Sequence, residues 1–241
     1  MQYIGGKQKS GGHHIARIVK HFADAVQTTR VNEPCCGGLS VTYRLAKHGL
    51  NVDAADACAP LIALYRAVLD GWGPPAVVER ATWEKYKASP DPSDPMTAFC
   101  GFGCSRSGAW FSSYVADYKY TNRRVPAAAA ARDSLRKKLA ACERASFVVR
   151  DYAETPLIGV VYADKPYADS LGYPAVGPFD HAAFWQWAEH ASKTLPVLVS
   201  ERVAPESWTV VEEWGLQSRI STQSGARRIE RVFVHERWTH A

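Results

Sequence analysis

The stretch Val160-Val161-Tyr162-Ala163-Asp164-Lys165-Pro166-Tyr167 limits the possible folds most. Its apolar run, rich in β-branched residues, reads as a buried strand. The run stops at an acid, a proline and an aromatic ring. In open α/β sheets, ligands bind beyond the carboxyl ends of the strands. An Asp, a restricted backbone and a Tyr at that point suit a flat heterocycle bearing an amino group. The Asp164 carboxylate can accept from the NH2, the carbonyl of residue 165 can accept its second hydrogen, and the Tyr167 ring can stack on the face.

The remaining chain repeats the strand-then-helix rhythm that such a sheet needs. His13 to Ala25 has an amphipathic helical spacing, with Ile15, Ile18, Val19 and Phe22 on one face. His13, His14 and His21 have no acid or thiol partner at ligand spacing and read as surface residues. Val31-Asn32-Glu33-Pro34-Cys35-Cys36-Gly37-Gly38-Leu39 is a short strand followed by a glycine turn, where backbone amides can approach a nucleoside. The strand Asn51–Ala55 ends in Asp56, 19 residues after Gly37, at a distance suited to a carboxylate on a ribose diol. Further strands are expected at 147–149, 196–200, 208–212 and 231–235, with a helix over 179–193. Arg227, Arg228 and Arg231 either touch phosphates or cover an edge strand.

From Gly73 to about Arg150 the rhythm breaks. Prolines punctuate it, and a Gly/Cys/aromatic patch at 99–111 precedes tyrosines interleaved with basic residues. Of the chain's net +5, residues 105–150 carry ten Arg or Lys against three acids, so the rest is slightly acidic. A basic, aromatic segment on a near-neutral body fits base stacking and phosphate contact, and equally a solvated helix face. Trp110 and Phe111 read as core of this segment. Ala127–Leu139 reads as a helix whose cationic end also complements the helix dipole. Six cysteines, at 35, 36, 58, 100, 104 and 142, follow no disulfide or zinc-ribbon spacing, so reduced thiols and no metal are expected. The Gly-rich polar N-terminus gives neither a signal peptide nor a membrane span, and the expected compartment is the cytoplasm of a bacterium or phage-infected host.

Taken in order, these pieces resemble the DNA N6-adenine methyltransferases of the Dam type, in particular phage members. Tyr3-x-Gly-Gly-Lys-Gln resembles the family's N-terminal donor-binding motif, with Tyr3, Gly6 and Lys7 at its contact positions. Glu33-Pro-Cys-Cys-Gly-Gly resembles its Gly-rich loop, through Glu33, Cys36, Gly37 and Gly38, and Asp56 matches its ribose-binding acid. Asp151-Tyr152 falls where the family contacts the donor's adenine. Asp164-Lys165-Pro166-Tyr167 is similar to the catalytic tetrapeptide, normally Asp-Pro-Pro-Tyr. The resemblance implies an α/β, Rossmann-like fold specific to S-adenosylmethionine (SAM) methyltransferases. It implies a catalytic domain from residues 1–72 and 145–241, and an inserted, mostly helical target-recognition subdomain at 73–144. It implies double-stranded DNA as partner, contacted by Arg106, Lys119, Arg123, Arg124 and Arg132, and extrusion of the target adenine.

The departure from the family pattern is Lys165. A residue before proline stays extended, so its carbonyl can still accept. Its ammonium, however, would stand near the sulfonium of SAM. Two unit charges ~5 Å apart at an effective dielectric of about 20 repel by roughly 3 kcal/mol. Three explanations are open. Lys165 turns outward to a phosphate or pairs with Asp169; catalysis is impaired; or the donor carries a negative charge, as carboxy-SAM does. In the last case Lys165 joins the cofactor-binding residues and the product is N6-carboxymethyladenine. A conventional methyltransferase, a catalytically inactive DNA-binding homologue, and an RNA or small-molecule methyltransferase are the alternatives.

Overall fold

The computed structural model describes all residues except 2, 4, 5, 8, 9, 121, 168–176 and 217–227. Asp169 and Arg227, and five of the first ten residues (2, 4, 5, 8 and 9), therefore lie outside the described residues. Nine strands and seven α-helices are described. The strands are β1 (Arg30–Glu33), β2 (Asn51–Asp56), β3 (Asp117–Tyr120), β4 (Arg123–Pro126), β5 (Ala145–Val149), β6 (Val160–Ala163), β7 (Val197–Glu201), β8 (Trp208–Leu216) and β9 (Arg228–His235). The helices are α1 (Ser10–Ala25), α2 (Thr42–Lys47), α3 (Ala59–Leu69), α4 (Arg80–Ala88), α5 (Pro95–Ala98), α6 (Ala127–Leu139) and α7 (His181–Ala191).

Seven strands form one mixed sheet in the order β5-β2-β1-β6-β7-β9-β8. The five strands from β5 to β7 run parallel, and β9 and β8 close the sheet antiparallel. The chain builds outward from β1 to β2 and β5, then returns to add β6 on the other side. The strand order therefore reverses between β1 and β6, which is where open α/β sheets hold ligands.

β6 and β7 are buried along their whole length, as the unbroken apolar runs predict. Pleat alternation sends successive β6 side chains to opposite faces. Val160 and Tyr162 join the large core that includes Ile15, Val19 and Phe22 of α1. Val161 and Ala163 join a second core with Phe184, Ala188 and Ala191 of α7. The Tyr162 hydroxyl is satisfied inside by Ser200 Oγ at 2.8 Å.

Residues 73–144 add an antiparallel hairpin to the expected, mostly helical content. They hold α4, α5 and α6, and also the hairpin β3–β4, which pairs Lys119 with Arg124. Asp-Tyr-Lys-Tyr alternates with period two, a strand signature too short to stand out among its charges. Trp83, Phe99, Phe102 and Phe111 from this segment pack in the same core as α3, α6 and the sheet. Phe111 is buried as expected, and Trp110 is partly buried against it, ring centroids 4.8 Å apart. All six cysteines are free thiols and only Cys35 is more than marginally exposed.

Arg231 belongs to β9, an inner strand rather than an edge, where it bonds Glu213 at 2.7 Å and the carbonyl of Arg202 at 2.9 Å. His14 is not a bare surface residue: its ring stacks on Trp214 and reaches Glu212 at 2.9 Å.

Candidate active site

The carboxyl ends of β1, β2 and β6 deliver Glu33, Asp56 and Asp164 to one cleft. Its walls are completed by Tyr3, Gly6 and Lys7 from the N-terminal segment, and by Cys35, Cys36, Gly37 and Gly38 from the turn after β1. Asp151 and Tyr152, Pro166, and the stretch Gly177–Phe179 close the far side. Nearly every residue expected at the donor site thus meets here, although they come from five separate stretches of chain.

The glycines are required by sterics. Gly37 has φ +44°, and a Cβ built on it would meet the Tyr3 ring at 2.9 Å. A Cβ on Gly38 would lie 2.6 Å from Tyr3 Cβ. Tyr3 therefore lies directly on the turn, a contact that only side-chain-free residues permit.

Three side chains from elsewhere fix the peptide groups of this turn. Asp56 Oδ2 accepts from the Gly37 N–H at 2.9 Å, while its Oδ1 accepts from Cys58 N–H at 2.9 Å. The buried Tyr65 hydroxyl donates to the Gly37 carbonyl, and the Lys138 ammonium donates to the Gly38 carbonyl. Burial pulls the Lys138 ammonium down to about 8, with Arg44 adding repulsion. Lys138 and Tyr65 were not legible as site residues. Lys138 is one of several cations at a helix end, and only the packing of α6 aims it at the loop.

Electrostatically the cleft is acidic. Glu33 is 1% exposed, and its Oε2 has no hydrogen-bond partner among the described residues, nor has the buried Ser40 Oγ. Burial pushes the Glu33 carboxyl up to about 8, and Asp164 and Asp56 add repulsion. Burial likewise raises Asp56 and Asp164, the latter against the opposing pull of Lys7.

Lys7 is the cation of the cleft. Its ammonium donates to Asp164 Oδ1 at 2.9 Å, reaches Glu230 Oε2 at 3.4 Å, and stands 4.5 Å from the Tyr167 ring centre. Burial alone would lower the Lys7 ammonium, but Asp164 and Glu230 outweigh it and hold it above its ordinary value. The Tyr167 hydroxyl donates to Glu230, a buried acid of β9 that sequence reasoning missed. Glu230 stands among Arg227, Arg228 and Arg231, so a reading by charge runs registers the cations and passes over it.

Lys165 corrects an expectation. Its side chain is fully buried and does not enter the cleft. The ammonium pairs with Glu201, the last residue of β7, and lies 3.4 Å from both the Pro166 carbonyl and His181 Nδ1. The rings of Phe184 and Trp185 stand 5.5 and 5.6 Å away. The cause is the pleat. Residue 165 has the parity of Val161 and Ala163, which face α7, whereas Asp164 and Pro166 line the cleft. The ammonium is thus neither beside a donor nor turned outward to a phosphate, and its partner is Glu201.

Asp151 is exposed and caps a short turn, accepting from Ala153 N–H at 2.9 Å. Tyr152 packs among Phe179, Phe184 and Trp187, with centroids 5.2–5.4 Å apart. Of the expected nucleic-acid contacts, Arg106, Lys119, Arg123 and Arg124 are exposed, the last three on β3–β4. Arg132 is partly covered on α6 and held by Asp133 at 2.9 Å. Among the described residues there is no cluster of His, Cys, Asp or Glu able to hold a metal ion, and no helix long and apolar enough to cross a membrane.

Residues 3–92 match the model of the D12 class N6 adenine-specific DNA methyltransferases. No curated protein matches the chain in sequence. Among solved structures, a protein of Haemophilus influenzae described as a methylase is similar at 10% identity and TM-score 0.36, over 93% of this chain and 98% of that one. The glycopeptide N-methyltransferase MtfA is similar at 11% identity and TM-score 0.33, over 90% and 94% of the two chains. The same enzyme complexed with S-adenosyl-L-homocysteine gives 12% identity and TM-score 0.31, over 92% and 72%.

Proposed function

We propose that this chain transfers a methyl group from SAM to the exocyclic N6 of adenine in double-stranded DNA. One convergence carries the reading. Tyr3, Lys7, Glu33, Gly37 and Asp56, inside the stretch that matches the D12 class model, line one cleft with Asp164, which lies well outside it.

The residues present fit such a donor, a sulfonium with an ammonium group and a ribose diol. Glu33 and Ser40 carry buried oxygens without partners among the described residues, Asp56 stands at the end of β2, and the acidic walls favour a cation. When bound, SAM supplies an electrophilic methyl group. The chain supplies the positioning, which accounts for much of the rate in such transfers. Glu33 and Asp56 hold the donor's polar groups. Tyr152 and Phe179 offer faces for a flat ring. Asp164 and the carbonyl of residue 165 accept the two N6 hydrogens, so the lone pair turns out of the ring plane toward the methyl carbon. Tyr167 stacks on the adenine, which must leave the helix to reach the cleft. Lys7 balances the Asp164 charge and opposes the upward pull of burial on the carboxyl. Lys119, Arg123 and Arg124 on the hairpin, together with Arg106, suit phosphate contacts.

The burial of Lys165 against Glu201 favours SAM itself as donor, since the residue that suggested a carboxylated donor offers no charge to the cleft. The test is mass spectrometry of nucleosides from adenine-containing duplex DNA, after incubation with the protein and either SAM or carboxy-SAM. N6-methyladenine from SAM is the expected product. A carboxymethyl increment from carboxy-SAM alone would reverse the donor reading. No increment from either, with DNA still bound, would point to an inactive DNA-binding homologue.

The loop clamp gives a second expectation. Lys138→Met leaves the Gly38 carbonyl without its charged donor, an interaction worth about 1.5–3 kcal/mol. Calorimetric titration with SAM should show affinity weakened by about 10- to 100-fold. An unchanged Kd would remove Lys138 from the donor site.

A further inference from the structure

The geometry points to the side chains of Lys165 and Glu201 as a positioning couple that fixes the catalytic turn, so that the Lys165 ammonium governs the transfer step without itself touching donor or base. The inference rests on the methyl-transfer reading above.

The turn from Asp164 to Tyr167 leaves the sheet at β6 and is held at alternate points. Asp164 is bound by Lys7 and Tyr167 by Glu230, both toward the cleft side. Between them the chain needs a hold on the opposite face, and Lys165 supplies it. Its ammonium joins three elements at once: the carboxylate of Glu201 at the end of β7, its own turn through the Pro166 carbonyl, and His181 in the first turn of α7. Glu201 is itself held, because its Oε1 accepts from the Arg202 N–H at 2.8 Å and it is 4% exposed. The couple thus ties the exit of β6 to the exit of β7.

A buried ion pair is a weak source of net stability, since a well-packed apolar pair of similar volume often does as well. What an apolar pair lacks is direction. The ammonium demands oxygens at hydrogen-bond distance, and meeting that demand sets the rotation of residue 165. Through the extended backbone, this also aims the 165 carbonyl and the Asp164 carboxylate on the other side. In positional catalysis, a displacement of about 1 Å costs on the order of 100-fold in rate.

The test compares the wild-type chain with Lys165→Met/Glu201→Met and with Lys165→Arg. Each is assayed for thermal melting, SAM affinity by calorimetry, DNA affinity, and single-turnover methyl transfer to duplex DNA. The couple predicts that the double variant melts near the wild type and binds SAM and DNA within about twofold. Its single-turnover rate should nevertheless fall about 10- to 100-fold. Lys165→Arg keeps a buried cation beside Glu201 and should recover most of that rate. A folded double variant that transfers within about twofold of the wild type overturns the couple and leaves the pair a packing device. If the double variant does not fold, Lys165→Arg decides alone: a folded variant slowed 100-fold or more also overturns the couple. A wild-type chain that methylates nothing overturns the underlying reading instead, and the couple with it.

Discussion

Asp164→Asn is expected to lower the single-turnover rate of methyl transfer by about a thousandfold, while SAM affinity changes by less than tenfold. The substitution keeps the shape of the side chain and replaces an acceptor oxygen with an NH2. At the position where an N6 hydrogen must be accepted, a donor meets a donor. Groups that manage protons in a transition state contribute typically 10²–10⁴ to rate, which sets the magnitude. The pH profile of the wild type adds an independent reading. Burial raises the Asp164 carboxyl, Lys7 opposes it, and the net direction is upward from the ordinary carboxylate value. The rate should therefore fall on acidification, with its inflection above the usual carboxylate range, and Asp164→Asn should flatten that limb. Rapid-quench measurement with labelled SAM checks both. A variant that retains a tenth of the wild-type rate would take Asp164 out of the chemistry.

Glu33→Gln is expected to stabilise the donor-free protein at pH 8 and to do so far less at pH 5. In the folded chain the Glu33 carboxyl is pushed up to about 8, chiefly by burial, against an ordinary value of 4.5. Between those values the unfolded chain loses the proton while the folded chain keeps it. The stability that Glu33 contributes is thus complete below about 4.5 and is lost as pH rises toward 8. The full difference is on the order of 5 kcal/mol, from about 1.4 kcal/mol per unit. Gln does not titrate, so the gap between variant and wild type should widen across that interval. Urea unfolding at the two pH values measures it, and a gap independent of pH would mean that Glu33 is ionised in the donor-free fold. The same residue makes SAM binding proton-linked. An ammonium beside Glu33 favours the carboxylate, so binding near neutral pH should release a proton, and the variant should release none.

Much of the architecture was legible because β6 and β7 are largely apolar runs that stop at an acid, and β2 also closes on one. That pattern marked Asp56 and Asp164, the family resemblance added Glu33, and the parallel order of β1, β2 and β6 then requires them to share one end. Parity was equally legible, and it would have corrected Lys165: counting from Val161 and Ala163 puts position 165 under α7 rather than in the cleft. Glu201 bore the same mark as Asp164, an acid closing a buried strand, and went unremarked because no family motif surrounds it. Glu230 and Lys138 were beyond reach for a different reason. Each acts across more than sixty residues of sequence, on Tyr167 and on Gly38, and nothing local distinguishes either from a solvated charge. The hairpin β3–β4 was hidden by its brevity, since four residues of alternation cannot outweigh a strongly basic composition.

The hold of Lys138 on the Gly38 carbonyl bears on how such a chain could be rebuilt. The segment between β2 and β5 invites exchange, since its basic hairpin carries the phosphate contacts proposed above. Yet its last helix also supplies a strut to the glycine turn after β1. A transplanted segment without a lysine at that turn of α6 would leave the Gly38 carbonyl without its charged donor. Swapping the hairpin alone, between Asp117 and Pro126, leaves the strut in place.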